Sequence, residues 1–364
     1  MKIALLSYST KPRGGVVHTL ALAEALAAAG QNVTVWSLGR GGDDGFFRQV
    51  DPDVSVRIVP FPDGPPEESV GERILRSIST LREAFDPAPY DIVHAQDCIS
   101  ANAAGRCVRT VHHLDRFTTP ELAACHERAI VEPYAHVCVS RSVADELTAG
   151  WGLEPVVIPN GVAYGRFATT DPRAREAWRS RLGRYVLTVG GIEPRKGSLN
   201  LLEAYALLRL EHPDVRLVIA GGETLFDYRD YRARWETRAS ELGIEPVVLG
   251  PVPDEELPPL VAAADAFAFP SIKEGFGLAA MEALAADVPL IVRDLPVLRE
   301  VFGTAARFAT TPADFAAAIS DALAARDLLR QTAGRRLAAR HTWNKAASQH
   351  LDFYRDLNSL GTSW

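Results

Sequence analysis

This sequence contains few sulfur-bearing residues, and its cysteines do not occur at the short spacings of paired cysteines. The 364 residues include two methionines and four cysteines. Cys98, Cys107, Cys125 and Cys138 form no CxxC pair and no other spacing typical of a metal site. We therefore expect reduced, structural thiols, which argues against a disulfide-stapled secreted domain.

Long apolar runs and an excess of basic residues are also missing. No apolar run approaches the roughly 20 residues that span a bilayer, and the opening MKIALLSYST is too short for a signal peptide. The formal charge of −7 argues against nucleic acid as a partner, because phosphate binding needs a basic surface. Residues 1–165 carry 14 Lys and Arg against 20 Asp and Glu, so they predict no basic face for anionic lipid. A cytoplasmic enzyme of small molecules fits better.

The common nucleotide and metal fingerprints are absent as well. No GxGxxG follows the first apolar run, and GxxxxGK[ST] does not occur. A dehydrogenase and a P-loop phosphotransferase are therefore disfavoured. A set of possible metal ligands consists of His94, Asp97, His112 and Asp115. No DxD or HExxH spacing supports that set, so we predict no metal site.

The chain has instead a regular alternation of short apolar runs and helical patterns. The run KIALLSYS, a helical pattern over residues 16–29 that ends at Gly30, and the run QNVTVWSL predict a βαβ unit and hence a parallel sheet. Residues 63–72, rich in proline and acid, predict a loop, and residues 73–85 an amphipathic helix. Further strand candidates of this series are residues 54–61, 91–96, 108–113, 136–142 and 155–161.

The alternation restarts after about residue 180. Because 364 residues exceed the usual size of a single core, we predict two doubly wound, Rossmann-like α/β domains, residues 1–165 and 166–341. A last helix over residues 342–364 is expected to cross back to the first domain. The strand candidates of the second series are residues 185–191, 215–222, 246–252, 266–271, 289–294 and 306–309.

Open parallel sheets bind ligands at the carboxyl ends of their strands, beside helix N-termini. Three segments have the order strand, glycine, helix: residues 7–18, 188–199 and 270–282. In the first, Gly14 and Gly15 either only turn the chain or leave room for a phosphate or a sugar. In the second, Arg195 and Lys196 are either surface charges or a phosphate clamp.

Histidines and paired acids offer further candidate chemistry. His112 and His113 end a strand candidate, where a histidine is either structural or a donor to a ligand oxygen. Glu274 and Glu282, in EGFGLAAME, would lie roughly 10 Å apart if a helix starts near Gly277. That is wide for a retaining glycosidase pair, at about 5 Å, though near the inverting range. Carboxylates flanking a helix start fit hydroxyls on both sides of a phosphate, as in a nucleotide-sugar, better than acid and base catalysis.

Together these motifs resemble those of family 4 of the retaining glycosyltransferases, the glycogen-synthase-like and mannosyltransferase-like group of the GT-B fold with an E-x7-E motif. The resemblance covers essentially the whole chain. Its most specific part is PSIKEGFGLAAMEALAADVPLI; weaker parts are the glycines at 14–15, VHH at 111–113, IPNGV at 158–162, VGGIEPRKG and LGPVPDEEL. The resemblance implies two Rossmann-like domains facing each other across a cleft, with the acceptor on the first and a nucleotide-sugar donor on the second. It also implies transfer with retention, without a metal and without a cofactor beyond this co-substrate.

Carried over position by position, the resemblance implies a role for each motif residue. Glu274 would face the donor sugar and Glu282 the ribose, while His112 would act at the anomeric carbon. The catalytic set implied is His112, Glu274 and Lys196. The donor-binding set implied is Gly14, Gly15, Arg195, Lys196, Val252, Gly275, Phe276, Gly277, Leu278 and Glu282.

One position departs from the family pattern. Gly191 stands where the family carries an arginine, so either Arg195 supplies that charge or Lys196 and backbone amides hold the diphosphate alone. Two alternatives stay open: a nucleotide-sugar epimerase or hydrolase of the same fold, and a non-catalytic nucleotide-binding protein. The acidic first half points to a soluble small-molecule or glycan acceptor, since family members that work on membranes carry basic surface there.

Overall fold

The computed structural model describes residues 1–115, 117, 119–222 and 228–359. The chain divides into two compact units. Unit 1 comprises Met1–Gly161 and the C-terminal segment from Trp343, and unit 2 comprises Val162–Thr342.

Unit 1 is built on a seven-stranded sheet in which every described pair of strands is parallel. In space the order is β3-β2-β1-β4-β5-β6-β7. The order reverses between β1 and β4, and such a switch point leaves room for a ligand at the carboxyl edge. The strands are β1 (Lys2–Leu6), β2 (Asn32–Arg40), β3 (Val54–Phe61), β4 (Ile92–Ala95), β5 (Val108–Val111), β6 (Ala135–Cys138) and β7 (Val156–Val157).

Three of the described helices of unit 1 begin at a side-chain cap, namely those that follow Ser69, Asp97 and Ser140. Before residue 162 the helices are α1 (Gly14–Ala28), α2 (Val70–Ala84), α3 (Cys98–Ala104), α4 (Pro120–Val131) and α5 (Arg141–Trp151). Helix α2 starts three residues before the predicted position because Ser69 and Glu72 form a capping box, each accepting a hydrogen bond from the other's backbone N–H. The loop prediction for residues 63–72 is therefore wrong at its end.

Unit 2 repeats the topology with six parallel strands in the order β10-β9-β8-β11-β12-β13. Its switch point lies between β8 and β11. The strands are β8 (Arg184–Val189), β9 (Val215–Ala220), β10 (Val247–Gly250), β11 (Ala266–Phe269), β12 (Leu290–Arg293) and β13 (Arg307–Ala309). The helices are α6 (Tyr164–Ala168), α7 (Pro172–Leu182), α8 (Ser198–Glu211), α9 (Arg229–Glu241), α10 (Leu257–Ala263), α11 (Leu278–Ala285), α12 (Pro296–Phe302), α13 (Pro312–Ala324) and α14 (Leu328–Arg340).

The continuous apolar runs are explained by sheets that are covered on both faces. In β1, Ile3 and Leu5 pack in one hydrophobic cluster, while Ala4 and Leu6 pack in another. A strand buried on both sides needs apolar residues at successive positions. The predicted α/β class and all the predicted strands are confirmed, although most strands end one to four residues early. The four cysteines are free thiols, as predicted.

The last helix, α15 (Trp343–Ser359), completes the core of unit 1. Ala347, Leu351 and Tyr354 join the cluster that contains Ile3 and Leu5. The Tyr354 hydroxyl lies 2.6 Å from Nδ1 of His94, whose Nε2 lies 2.7 Å from the Thr110 hydroxyl. A buried polar chain therefore ties the helix to β4 and β5.

None of the described helices combines the length and the apolar composition that crossing a membrane requires.

We expect Tyr354→Phe to lower the free energy of unfolding by about 1–3 kcal/mol, because His94 Nδ1 loses its partner inside the core. Tyr90→Phe is the matched control, since the Tyr90 hydroxyl accepts from Trp36 Nε1 at a partly exposed position where water can replace it. Urea denaturation of both variants measures the difference. Equal losses would show that the His94–Tyr354 bond has no special role.

Candidate active site

The switch point of unit 2 explains why residues far apart in sequence meet. The loop after β8 carries Arg195 and Lys196, and the loop after β11 carries Glu274. Since β8 and β11 are hydrogen-bonded neighbours and run parallel, both loops leave the same edge of the sheet.

Two cations hold the Glu274 carboxylate. Lys196 Nζ donates to Glu274 Oε1 at 2.6 Å, and Arg195 Nη1 donates to the same oxygen at 3.2 Å. The carboxylate side chain is only 10% exposed. Burial by itself raises the pKa of Glu274, but the charges of Lys196 and Arg195 outweigh it and lower the pKa to about 2. Glu274 is therefore ionised at neutral pH and is unsuited to act as a general acid.

Arg195 is shared between two carboxylates. Besides Glu274, its guanidinium contacts the buried Glu193 at 3.4 Å. Arg195 thus takes part in an ion-pair network with both carboxylates. Glu193 was missed by the sequence analysis, although it stands inside the quoted segment VGGIEPRKG.

Glu282, on α11, is in the opposite electrostatic state. Burial raises the pKa of its carboxyl to about 8; Arg166 lowers this pKa and Asp254 raises it. Arg166 and Asp254 pair with each other at 2.7 Å, so they leave little net charge to stabilise an ionised Glu282. The Glu282 carboxyl is mostly protonated at pH 7, and it can then donate as well as accept a hydrogen bond.

Glycines allow the loops at this edge to approach closely. Gly197 has a φ of +66°, and a Cβ there would overlap the Pro270 carbonyl. A Cβ on Gly221, after β9, would overlap the backbone of Gly190. Beside these contacts lies a cavity whose lining includes Gly190, Gly191, Lys196, Phe269, Pro270 and Ser271.

Helix α11 opens toward the same loops. It starts at Leu278, one residue after the predicted start, and Gly277 precedes it with a φ of +95°. A Cβ on Gly277 would press on the rings of Phe302 and Phe269 at 3.2 and 3.3 Å, so the turn requires glycine. No side chain caps this helix, and the backbone N–H groups of its first turn lack intrahelical acceptors. The assigned amides belong to this turn, at Gly275, Phe276, Gly277 and Leu278.

Val252 lies in the loop after β10, partly buried. Its neighbour Pro251 packs against Gly222, where a Cβ would stand 3.1 Å from the proline ring. The loop therefore continues the carboxyl edge of the sheet beyond β9.

In unit 1, Gly14 and Gly15 are the first two residues of α1 and neither has a positive φ. Both glycines are therefore helical, whereas a loop that turns the chain would place them before α1. A Cβ on Gly14 would meet no atom within 4 Å, and one on Gly15 would meet the His112 imidazole at 3.8 Å. The helix start leaves open space beside His112.

The two neighbouring histidines differ in their partners. His113 Nε2 pairs with Asp115 at 3.2 Å. His112 Nε2 is buried without a hydrogen-bond partner among the described residues. Burial, together with the charge of Arg109, lowers the pKa of His112 to about 3, so this imidazole is neutral at pH 7. Of the two, His112 is thus the one whose Nε2 has no hydrogen-bond partner among the described residues.

His18 supports His112 and was missed by the sequence analysis. The two rings meet edge to face with centroids 4.7 Å apart, and His18 Nδ1 lies 2.9 Å from Asn160 Oδ1. Both partners of this hydrogen bond are buried. Asn160 belongs to the quoted segment IPNGV, but nothing in the sequence connects it with a residue 142 positions away.

Among the described residues, no group of three or more His, Cys, Asp and Glu side chains is arranged to hold a metal ion. His94, considered as a ligand from the sequence, uses both ring nitrogens in hydrogen bonds within the core.

Comparison with known proteins places this geometry in context. The family model described as "Glycosyltransferase Family 4" matches residues 12–166, and the model described as "Glycosyl transferases group 1" matches residues 173–340. A D-inositol 3-phosphate glycosyltransferase of Geodermatophilus obscurus is 30% identical, over 97% of this chain and 89% of its own length. A phosphatidyl-myo-inositol mannosyltransferase of Mycobacterium leprae is 28% identical, over 100% of this chain and 98% of its own. The crystal structure of Anabaena HepE in complex with UDP-glucose superposes with a TM-score of 0.75 at 20% identity, over 97% of this chain and 99% of that one.

Each of the two units is a parallel, Rossmann-like sheet with its helices. Two such units in one chain define the GT-B class of fold. The chain belongs to the family 4 glycosyltransferases of the GT-B fold, and it is an enzyme of sugar transfer.

We expect Glu274→Gln and Glu282→Gln to change the melting temperature in opposite directions. The pKa of Glu274 lies below its ordinary value near 4.5, so its charge stabilises the fold above that pH, and this stabilisation is lost as pH falls toward 2. Glu274→Gln should therefore melt lower than wild type throughout pH 5–9. The pKa of Glu282 lies above 4.5, so the wild type loses stability as pH rises from about 4.5 through 8. Glu282→Gln should gain on wild type over that range.

Melting curves in buffers from pH 4 to 9 measure both effects. Glu236→Gln, at an exposed pair with Arg232 on α9, is the control and should follow wild type closely. Parallel curves for the Glu274 and Glu282 variants would contradict the two electrostatic states.

Proposed function

We propose that this glycosyltransferase moves a sugar, with retention of its anomeric configuration, from a nucleoside-diphosphate sugar to a hydroxyl of a soluble small-molecule or glycan acceptor. The observation that carries the proposal is the pairing of Glu274 with Lys196 beside the uncapped start of α11, which leads to Glu282. Glu274 provides a carboxylate at one end of this arrangement, and Glu282 provides a neutral carboxyl at the other. Between them, Lys196 and the backbone N–H groups at the start of α11 provide hydrogen-bond donors.

Each part of this arrangement suits one part of the donor. The ionised Glu274 accepts hydrogen bonds from sugar hydroxyls, and the neutral Glu282 both donates to and accepts from ribose hydroxyls. Lys196 and the N–H groups of the α11 turn hold the diphosphate, as helix N-termini do for anions. The Anabaena protein with bound UDP-glucose supports this class of donor.

Binding of the diphosphate would change the partners of Lys196. Without ligand, its ammonium bonds to Glu274 at 2.6 Å and lies 5.3 Å from the centre of the Phe269 ring. A diphosphate brings more negative charge than one carboxylate, so Lys196 would be shared between them. Arg195 keeps Glu274 ionised while this happens.

The chemistry follows from stabilising the leaving group. The bond between the anomeric carbon and the diphosphate oxygen breaks, and the negative charge that builds on that oxygen is stabilised by Lys196 and the α11 amides. The acceptor oxygen bonds to the same face of the anomeric carbon, and a phosphate oxygen of the leaving nucleoside diphosphate takes the acceptor proton. No enzyme nucleophile and no metal enter this scheme. We assign to His112, neutral and with a free Nε2, the contact that orients the reacting sugar. The cytoplasmic location inferred from composition stays a prediction.

Incubation with each common nucleotide-sugar tests the donor class. We expect at least one of them to be hydrolysed slowly without acceptor and to raise the melting temperature, with no loss of rate in a chelator. Proton NMR of the released sugar, read before mutarotation, gives its configuration. If no nucleotide-sugar is hydrolysed and none stabilises the protein, the transferase proposal is wrong; inverted product would contradict retention alone.

The division of labour between the two glutamates is tested by Glu274→Ala and Glu282→Ala. Since Glu282 is assigned to the ribose, its loss should weaken nucleotide binding by about tenfold or more. Since Glu274 is assigned to the sugar, its loss should leave the affinity for the bare nucleoside diphosphate closer to that of wild type while it slows turnover. Calorimetry with the nucleoside diphosphate and rates with the full donor separate the two. Equal effects of both variants on both readouts would refute the assignment.

A further inference from the structure

The face of helix α1 that meets His112 carries a glycine and a histidine. Gly15 and His18 are three positions apart on α1, so they lie on the same face of the helix. A Cβ on Gly15 would stand 3.8 Å from Cδ2 and 3.9 Å from Nε2 of His112, whereas the His18 ring already meets the His112 ring, with centroids 4.7 Å apart and planes at 79°. Gly15 thus adds no side chain beside this imidazole, and His18 packs against its ring.

A hydrogen bond to Asn160 decides where the proton of His18 lies. His18 Nδ1 is 2.9 Å from Asn160 Oδ1, and both residues are buried. An amide oxygen only accepts, so Nδ1 carries the proton and donates it to this bond. Burial lowers the pKa of His18 well below its ordinary value, His112 and His350 act in the same direction, and the bond to Asn160 opposes them. His18 is therefore neutral at pH 7, with a lone pair on Nε2.

Two segments outside α1 hold the His18 ring. Asn160 lies next to Gly161, where the first part of unit 1 ends, and Trp343 begins the second part. The Trp343 ring meets the His18 ring edge to face, with centroids 5.4 Å apart and planes at 76°. One segment thus fixes His18 through a hydrogen bond and the other through ring packing, and together they fix the surface that His18 presents to His112.

The second ring nitrogen of His18 argues against a role in packing alone. Nε2 is buried without a hydrogen-bond partner among the described residues, whereas His94 in the same unit uses both of its ring nitrogens. Burying a polar atom without a partner costs free energy, which a phenylalanine ring in the same edge-to-face contact would avoid. What histidine offers here and phenylalanine does not is the bond to Asn160, which sets the rotation of the ring.

We propose that Asn160 and His18 are positioning residues of the transferase. Asn160 locks His18 in one tautomer and one rotation, and His18 holds the His112 imidazole in the orientation in which Nε2 reaches the reacting sugar. This inference rests on the proposed function, in which His112 orients that sugar. Because a displacement of about 1 Å near the reacting atoms can lower a rate about a hundredfold, the loss of this lock should appear in turnover.

Nitrogen NMR of the wild type, labelled at histidine, tests the lock without any substrate. We expect His18 to show a protonated Nδ1 and an unprotonated Nε2, unchanged between about pH 6 and 9. A proton on Nε2, or titration of His18 in this range, would overturn the proposal whether or not the protein transfers sugar.

Asn160→Ala removes the acceptor of this hydrogen bond. With the nucleotide-sugar that the protein hydrolyses, we expect kcat to fall by about tenfold to a hundredfold. The affinity for the nucleoside diphosphate, which is assigned to unit 2, should stay within about twofold of wild type. Hydrolysis rates and calorimetry measure the two effects.

Asn160→Asp keeps an oxygen acceptor but adds a charge, which gives the test a readout that packing alone would not change. The titratable groups that act on His18 in the wild type are the imidazoles of His112, His350 and His94, so they bring no negative charge. A carboxylate beside His18 favours its charged form and raises its pKa. The pH–rate profile of Asn160→Asp should therefore gain an ionisation: slow turnover at low pH, where His18 is charged, and turnover close to wild type at high pH, where it is neutral.

His136→Phe is the matched control. His136 is also buried in unit 1, and its Nε2 lies 2.7 Å from the Ile130 carbonyl oxygen. This variant should melt at a lower temperature but keep the wild-type pH–rate profile. Equal losses of kcat in Asn160→Ala and His136→Phe, or a wild-type profile for Asn160→Asp, would show that the pair is only structural and would overturn the proposal.

The nitrogen resonances of His112 keep this test separate from the proposed function. If no nucleotide-sugar is hydrolysed, the transferase proposal fails by itself. A change of the His112 resonances in Asn160→Ala, absent from His136→Phe, would then still support the positioning of His112, and unchanged resonances in both variants would overturn it. Donor hydrolysis at the wild-type rate in Asn160→Ala would leave the transferase in place and reject the positioning pair alone.

Discussion

Parallel pairing of the strands is the constraint on which the rest of this structure depends. In each sheet it sends every strand's carboxyl end to the same edge, and the order of the strands opens a switch point between β1 and β4 and between β8 and β11. Lys196 and Glu274 meet only because their loops leave adjacent parallel strands at such a point. In unit 1, Arg40 and Phe61 reach a common edge for the same reason, since they end paired strands. The glycines at both edges then set how close loops and helix starts can come.

The two glutamates of the E-x7-E motif show how one residue type acquires two chemical states. Glu274 is buried beside Lys196 and Arg195, and their charges overcome the cost of burial. Glu282 is partly buried, and Arg166 and Asp254 offset each other, so loss of solvation decides and the carboxyl stays mostly protonated at pH 7. An ionised acceptor at one end and a neutral donor and acceptor at the other match a ligand with hydroxyls on both sides of an anion. Such a pair does not resemble a general acid and base working on one bond.

Local pattern predicted the strands because the apolar runs of both sheets must be buried on two faces. The first residues of the helices were harder to predict from the local sequence. Ser69 caps α2 inside a segment whose prolines and acids indicate a loop, and Gly14 and Gly15 turned out to be helical. Contacts between distant segments leave no pattern in the local sequence from which they could be predicted. The hydrogen bond of Lys196 to Glu274 joins residues 78 positions apart, and the bond of His18 to Asn160 joins residues 142 apart. The family resemblance named the motif residues, but the approach of Arg40 to the Phe61 ring follows from the pairing of β2 with β3.

The central claim is that a nucleotide-sugar binds at the carboxyl edge of unit 2, between Glu274 and Glu282. A crystal structure of the protein with the nucleotide-sugar that it binds tests this claim most directly. The account predicts ribose hydroxyls within hydrogen-bond distance of Glu282, sugar hydroxyls at Glu274, and the diphosphate on Lys196 and the amides of Phe276 to Leu278. A nucleotide bound in the reverse direction, or one that contacts neither carboxylate, would contradict it.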